Sequence, residues 1–210
     1  MRKTAILPRT FLALAVALTA TACGLSDTPP AAPTSAPLDP HRAPADIRWE
    51  PWQGVNLPYG RTDGPSKVSE AALGYTHTPQ GAALAAIQHR VRISLAPDAT
   101  WARLASQALM PGPGKDAWVM ARAQVSLTQP ASPVMAPRIT AYKFTTYTAD
   151  RSNLIVYSTY SDNSITANNE TVVWSSGDWR LLLPDPATKT KVVESVSEIP
   201  PDVVRLPSPT

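Results

Sequence analysis

Residues 138–184 form a stretch that reaches its first proline only at its last position, the longest such run in a chain with 23 prolines. The stretch is dense in Thr, Tyr, Val, Ile and Trp, which favour a pleated, half-buried surface. Its alternation predicts four antiparallel strands over 139–147, 154–161, 168–175 and 178–183. In the first, Tyr142 and Phe144 oppose Lys143 and Thr145. In the second, Ile155, Tyr157 and Thr159 oppose Leu154, Val156 and Ser158. A period of two suits a sheet with one covered face. Polar connections separate the strands at 149–153, 161–164 and 175–178. The last, Ser175-Ser176-Gly177-Asp178, reads as a short hairpin loop, with Trp174 and Trp179 facing each other across it. Pro184 ends the ladder because it has no N–H to donate.

The segments around this sheet are of a different kind. Residues 1–22 carry Arg2, Lys3 and Arg9, then the apolar run 11–18, then small residues up to Ala22. That order is a secretory signal, with an apolar run too short to span a bilayer. Cys23 follows Ala20-Thr21-Ala22 and is the single cysteine. The arrangement resembles a bacterial lipobox, and the resemblance implies a diacylglycerol on the Cys23 sulfur after cleavage. Two acyl chains suffice for stable anchoring. The expected location is the extracytoplasmic face of the cell membrane, with the membrane as the first partner. One thiol excludes an internal disulfide and disfavours cysteine chemistry. From Cys23 to Ala45 the composition is Pro, Ala, Ser, Thr and Asp, which cannot bury enough apolar surface to order itself. It reads as a tether reaching up to roughly 60 Å at about 3.1 Å per residue, with His41 solvated.

Three of the 19 basic residues lie in the leader, which has no acidic one. Without them 16 basic face 16 acidic side chains. A neutral chain of this kind predicts no nucleic-acid footprint.

The body of the domain is expected over 46–184, with a tail at 185–210. Residues 47–64 read as extended and turn-rich. Trp49 and Trp52 belong there, packed on the domain edge or, alternatively, forming an aromatic shelf for sugar or peptide. A first helix starts at Thr78-Pro79, a good N-cap followed by the proline that suits a first helical position. It continues through residue 93 with a narrow stripe of Ala83, Ala86, Ile87 and Val91. A second helix near 98–110 places Trp101, Leu104, Ala105, Ala108 and Leu109 on one face, and Pro111-Gly112-Pro113-Gly114 stops it. A third, over 115–126, carries Trp118, Ala121 and Val125. The tail, with Val192, Val193, Val196, Ile199, Val203 and Val204 between prolines, suits an edge strand, a wrap around the domain or a docking segment.

Catalytic patterns are not apparent, and the reading is of a non-enzyme with no cofactor and no metal. Gly112-Pro113-Gly114-Lys115-Asp116 is no phosphate loop, since Leu109 stands where the first glycine is needed and Asp116 where Ser or Thr is needed. His77 and His89 bracket the first helix without a further ligand at metal spacing. No G-x-S-x-G elbow occurs, and the acidic residues occur singly. A hydrolytic reading would require convergent carboxylates, or His77 and His89 together.

Several short motifs do carry a resemblance: Trp52-Gln53-Gly54-Val55 with Leu57-Pro58, Gly64-Pro65, Gly74-Tyr75, Thr78-Pro79, Gly81 to Ala86, Pro111 to Ala117, and Gly177-Asp178-Trp179-Arg180-Leu181. Together, over about 49–184, they resemble an uncharacterised group of actinobacterial secreted or membrane-anchored proteins associated with conjugative elements. The element order is similar to the NTF2-like domains of the VirB8 and TcpC conjugation proteins. The resemblance implies an α+β, NTF2-like fold: a curved antiparallel sheet of about four strands packed on two or three N-terminal helices. It transfers no catalytic residues. Two functions follow as expectations. One is a lipoprotein that serves as a protein-interaction or assembly component in the cell envelope, tied to conjugative transfer. The other is a small-ligand-binding lipoprotein using the concave face of the sheet, which requires that Trp101, Trp118, Tyr142 and Phe144 leave that face unfilled.

Overall fold

The computed structural model describes residues 38–209. The signal peptide 1–22, Cys23 and the tether as far as residue 37 lie outside the described residues. Among the described residues no helix is long and apolar enough to cross a membrane.

Two small hairpins open the domain, β1 (Ile47–Trp52) with β2 (Val55–Gly60), and β3 (Lys67–Val68) with β4 (Ala72–Leu73). Three helices follow: α1 (Pro79–Ser94), α2 (Trp101–Ala108) and α3 (Pro113–Arg122). Then come β5 (Arg138–Tyr147), β6 (Arg151–Thr159), β7 (Ile165–Ser175) and β8 (Asp178–Leu181), a consecutive antiparallel meander. The tail supplies β9 (Val193–Val196) and β10 (Val204–Arg205). The main sheet therefore has six strands in the order β10-β5-β6-β7-β8, with β9 also paired to β7.

This corrects the expected architecture. Helices do not come first, the sheet does not have about four strands, and the arrangement is not the NTF2-like cone. The four meander strands fall close to their expected positions, and six further strands lie outside them, in the extended 47–64 stretch, in the approach to α1 and in the tail. The reason is local. Pro51 and Pro58 interrupt the alternation of the first hairpin, yet proline is tolerated in a two-stranded ribbon, where one edge of each strand needs no donor. The hairpin signal was Gln53-Gly54: both have positive φ, 46° and 83°, as a two-residue turn between right-twisted strands requires. The β7–β8 turn is built the same way from Ser176 and Gly177, at 55° and 78°. Its loop is thus two residues rather than four, since Ser175 and Asp178 already pair.

Thr78 caps α1 as expected, its side chain accepting from the Gly81 N–H at 3.1 Å. The expected narrow stripe is too narrow, however. Nearly every residue from Pro79 to His89 is buried, and so are Arg92 and Ile93. The helix is enclosed by β2 on one side and by β6, β7 and β8 on the other. Its polar side chains then need partners, and they find backbone carbonyls. Gln80 donates to Asp39 and Arg42, Gln88 to Pro58, and His89 to Trp179. Arg92 donates to Ser69 and Glu70, to the Tyr59 hydroxyl and to Gln88, and its guanidinium sits 4.9 Å from the Trp52 ring.

The Gly177-Asp178-Trp179 turn locks the hairpin to the entry of α1. The Asp178 carboxylate accepts from the N–H groups of Gly74 (2.7 Å), Tyr75 (3.1 Å) and Trp179 (2.9 Å). Trp179 is fully buried, and its indole N–H donates to the Thr76 carbonyl at 3.0 Å. Trp174 pairs with it across the ladder, ring centroids 5.4 Å apart.

The tail resolves into two of its three readings, adding edge strands and wrapping the domain. β9 continues the outer edge of β7 beside β8, and β10 lies on the outer edge of β5. Between them Ile199 and Val203 pack on the sheet face away from α1, over Ala141, Tyr157 and Ala167. The Trp49 indole N–H donates to Pro207 and fastens the end of the tail to β1.

Because Asp178 satisfies three N–H groups of two segments far apart in sequence, Asp178→Ala is expected to lower unfolding stability by about 2–3 kcal/mol. Urea denaturation measures it, and an unchanged midpoint would mean that water replaces the carboxylate there.

Candidate functional site

Ile87 and Val91 on α1 and Leu95 at its C-cap repeat every four residues and so share one side of the helix. They face a part of the sheet built from Ile139 on β5, Val156 and Ser158 on β6, and Asn168 on β7. Ala131, Met135 and Pro137, from the proline-rich connection between α3 and β5, complete the rim. The result is a groove of about 280 Å³ with mainly apolar walls. The connection is held over it from both ends. The Ala131 N–H donates to Gln53 at the β1–β2 turn, and the Ser161 hydroxyl donates to Val134. Gly54 permits this approach, since a Cβ there would lie 2.3 Å from the Ala131 carbonyl oxygen.

One end of the groove is charged. Arg90 sits beside Val91 on α1, and Glu170 is two residues beyond Asn168 on the same face of β7. The Glu170 side chain is fully buried, and Arg90 holds it by two parallel bonds, Nε at 2.6 Å and Nη2 at 2.7 Å. Burial pushes the Glu170 carboxyl above its usual range, while Arg90 holds it down. Removing either partner alone would strand a buried charge. The Asn168 amide nitrogen donates to the Val156 carbonyl and to Thr166. A carbonyl only accepts, so this fixes which way the amide is turned.

Larger clefts exist, with more polar residues in their linings. One of about 620 Å³ lies where the chain loops out between β8 and β9, lined by Thr145, Arg151, Asn153, Asn169, Thr171 and Lys191 among others. Another, of about 710 Å³, runs between the end of the tail and β5. Both spread their polar atoms over many residues, where a ligand site usually gathers a few among apolar walls.

The residues singled out from sequence are distributed as follows. Cys23 lies outside the described residues. His77 is exposed, stacked on Trp174 at 4.0 Å between centroids, with its Nε2 on the Ala149 carbonyl. His89 is fully buried, its Nε2–H donating to Trp179 at 3.0 Å. The two share no carboxylate partner among the described residues, and no group of described residues could hold a metal ion. Trp49 and Trp52 are engaged by the tail and by Arg92, not arranged as a shelf. Trp101 and Trp118 pack on each other between α2 and α3, at 6.0 Å. Tyr142 lies in the core and the half-buried Phe144 packs against it, edge to face at 5.6 Å. None of these four lines the groove.

Arg90, Asn168 and Glu170 were missed by the sequence reading. A signal existed: Asn168, Glu170, Val172 and Trp174 share one face by the period of two, and a carboxylate on a covered face requires a cation.

The chain belongs to a family described as a domain of unknown function (DUF8175), whose model matches residues 15–200. No curated protein matches the chain, and no solved structure does.

The buried histidine gives a pH dependence whose sign is fixed. Burial lowers His89 from 6.5 to about 4, so the folded protein stays unprotonated where the unfolded chain takes up a proton. Its contribution is complete above pH 6.5 and is lost as pH falls toward 4. Glu170 acts oppositely, since protonation at low pH relieves a buried charge. In His89→Gln, whose amide can still donate to Trp179, the loss of stability between pH 6.5 and 4 should be smaller by about 2–3 kcal/mol. Urea unfolding at stepped pH measures the difference between the two curves.

Proposed function

We propose that this protein is a lipid-anchored extracytoplasmic binding protein that holds a small, mostly apolar ligand in the groove between α1 and the main sheet. The observation that carries this reading is the groove itself: aliphatic walls from two elements, a rim that bridges them, and in its lining Arg90, paired to the buried Glu170 behind it. Its size and composition suit a small molecule rather than a polypeptide face. The lipobox reading of Cys23 supplies the membrane attachment. The tether lets the groove stand away from the bilayer.

A second reading has its own support. Val134 and Met135 are exposed apolar side chains, 65% and 69% accessible, side by side on the groove rim. Such a pair suits contact with another envelope protein. This is the assembly role, and the resemblance to proteins of actinobacterial conjugative elements points to the same setting. Both readings are non-enzymatic and need no cofactor.

Val91→Trp tests the first reading. Val91 is half-buried on the groove wall, so an indole there fills the space with little cost to the core. The smaller neutral fluorophore 1-aminonaphthalene should brighten with the wild-type domain and lose most of that signal with Val91→Trp. Equal signals would place the dye elsewhere and remove the groove from consideration. The anchor is tested separately. Cys23→Ser should move the protein from the membrane fraction to the medium, and retention in membranes would overturn lipidation.

A further inference from the structure

The polar atoms at the charged end of the groove are few, and their hydrogen-bonding capacity can be counted. Arg90 uses Nε and Nη2 on Glu170, so its Nη1 group keeps its donors, with no acceptor among the described residues. Asn168 uses its amide nitrogen on Val156 and Thr166, so its Oδ1 keeps its acceptor capacity, with no donor among the described residues. Neither atom is one of the buried polar atoms left without a partner, so both remain accessible. Both residues line the groove. One donor and one acceptor therefore stand unused in the lining of the groove, one on α1 and one on β7.

Charge narrows the class further. Arg90 and Glu170 already neutralise each other in a bidentate pair. A ligand carboxylate brought to Arg90 would meet the buried charge of Glu170. A ligand ammonium would meet Arg90, which covers the carboxylate. An ion brought against this pair would lose part of its hydration without a matching counter-ion. A neutral group that accepts one hydrogen bond and donates another faces neither cost.

We propose that the groove takes a neutral acyl amide: the carbonyl accepts from Arg90 Nη1, the amide N–H donates to Asn168 Oδ1, and an aliphatic chain lies along Ile87, Val91, Leu95, Ile139 and Val156. This rests on the ligand-binding reading given above. At the packing density of organic solids, a space of about 280 Å³ holds roughly a dozen heavy atoms, which makes the acyl chain a medium one.

Three probes with the same chain and different ends test the assignment: octanamide, octanoate and octylamine, titrated calorimetrically into the intact protein at neutral pH. Octanamide should bind at least about tenfold more tightly than either ion. Asn168→Ala should remove most of that advantage while the melting temperature reports whether the fold is kept. Because the charge series is run first on the wild type, it decides the matter even if the variant does not fold. If octanoate or octylamine binds as tightly as octanamide, and Val91→Trp abolishes that binding, the amide assignment is overturned and the groove reading stands. If no probe binds while the fluorophore still does, the assignment fails in the same way. If neither the probes nor the fluorophore bind, the groove reading itself fails.

Discussion

Burying a helix that carries four polar side chains is the constraint on which this domain is built. Gln80, Gln88, His89 and Arg92 project from α1 into surroundings almost without water, and each unpartnered group would be costly there. Their donors are met by carbonyls of the chain before β1, of β2, of the β3–β4 hairpin and of β8, while His89 Nδ1 is left without a partner. Each bond meets two needs at once, since many of those carbonyls lie at strand ends or turns where no ladder partner is available. The helix thus fixes four otherwise separate segments in register. Arg92 shows the extreme form: a fully buried guanidinium with no carboxylate partner among the described residues, held by carbonyls, a phenol, an amide and an indole face.

The second constraint is closure. A meander of four strands has two open edges and two faces, while α1 covers only one face. The tail deals with what is left. By pairing with β7 at one side and β5 at the other, it occupies edge positions that would otherwise invite pairing with another chain. In crossing between them it covers the small apolar patch of Ala141, Tyr157 and Ala167. On the opposite side, Met110 donates to Leu181 and so closes the outer edge of β8. The groove beside α1 is a space in the helix-facing layer that neither device fills. Its charged end is there because Glu170 sits on the covered face and must be met by Arg90.

Much of the meander was legible because its signals are local. Alternation of Leu154, Val156 and Ser158 against Ile155, Tyr157 and Thr159 marks two faces whatever the rest of the chain does. The Thr78-Pro79 cap marks a helix start by its own chemistry. The two-residue turn at Ser176-Gly177 was recognisable for the same reason, although its loop was read too long. The groove was not legible in this way. Val91 appeared in the expected helix stripe, but Asn168 and Glu170 look like ordinary polar strand residues. Their meaning comes from Arg90, 80 positions away from Glu170.

The chain's own chemistry marked which strands and helices occupy its middle, that a leader with basic and then apolar residues runs up to a lone cysteine, and that the segment after it is rich in proline. These are matters of near neighbours: rotamer freedom, missing N–H groups and spacing along one element. Strand count, the placing of the tail across the sheet, the enclosure of α1 and the existence of the groove were matters of distant pairing. Short apolar runs such as residues 193–196 and 204–205 are strands only because β7 and β5 offer them an open edge, and no local pattern records that offer.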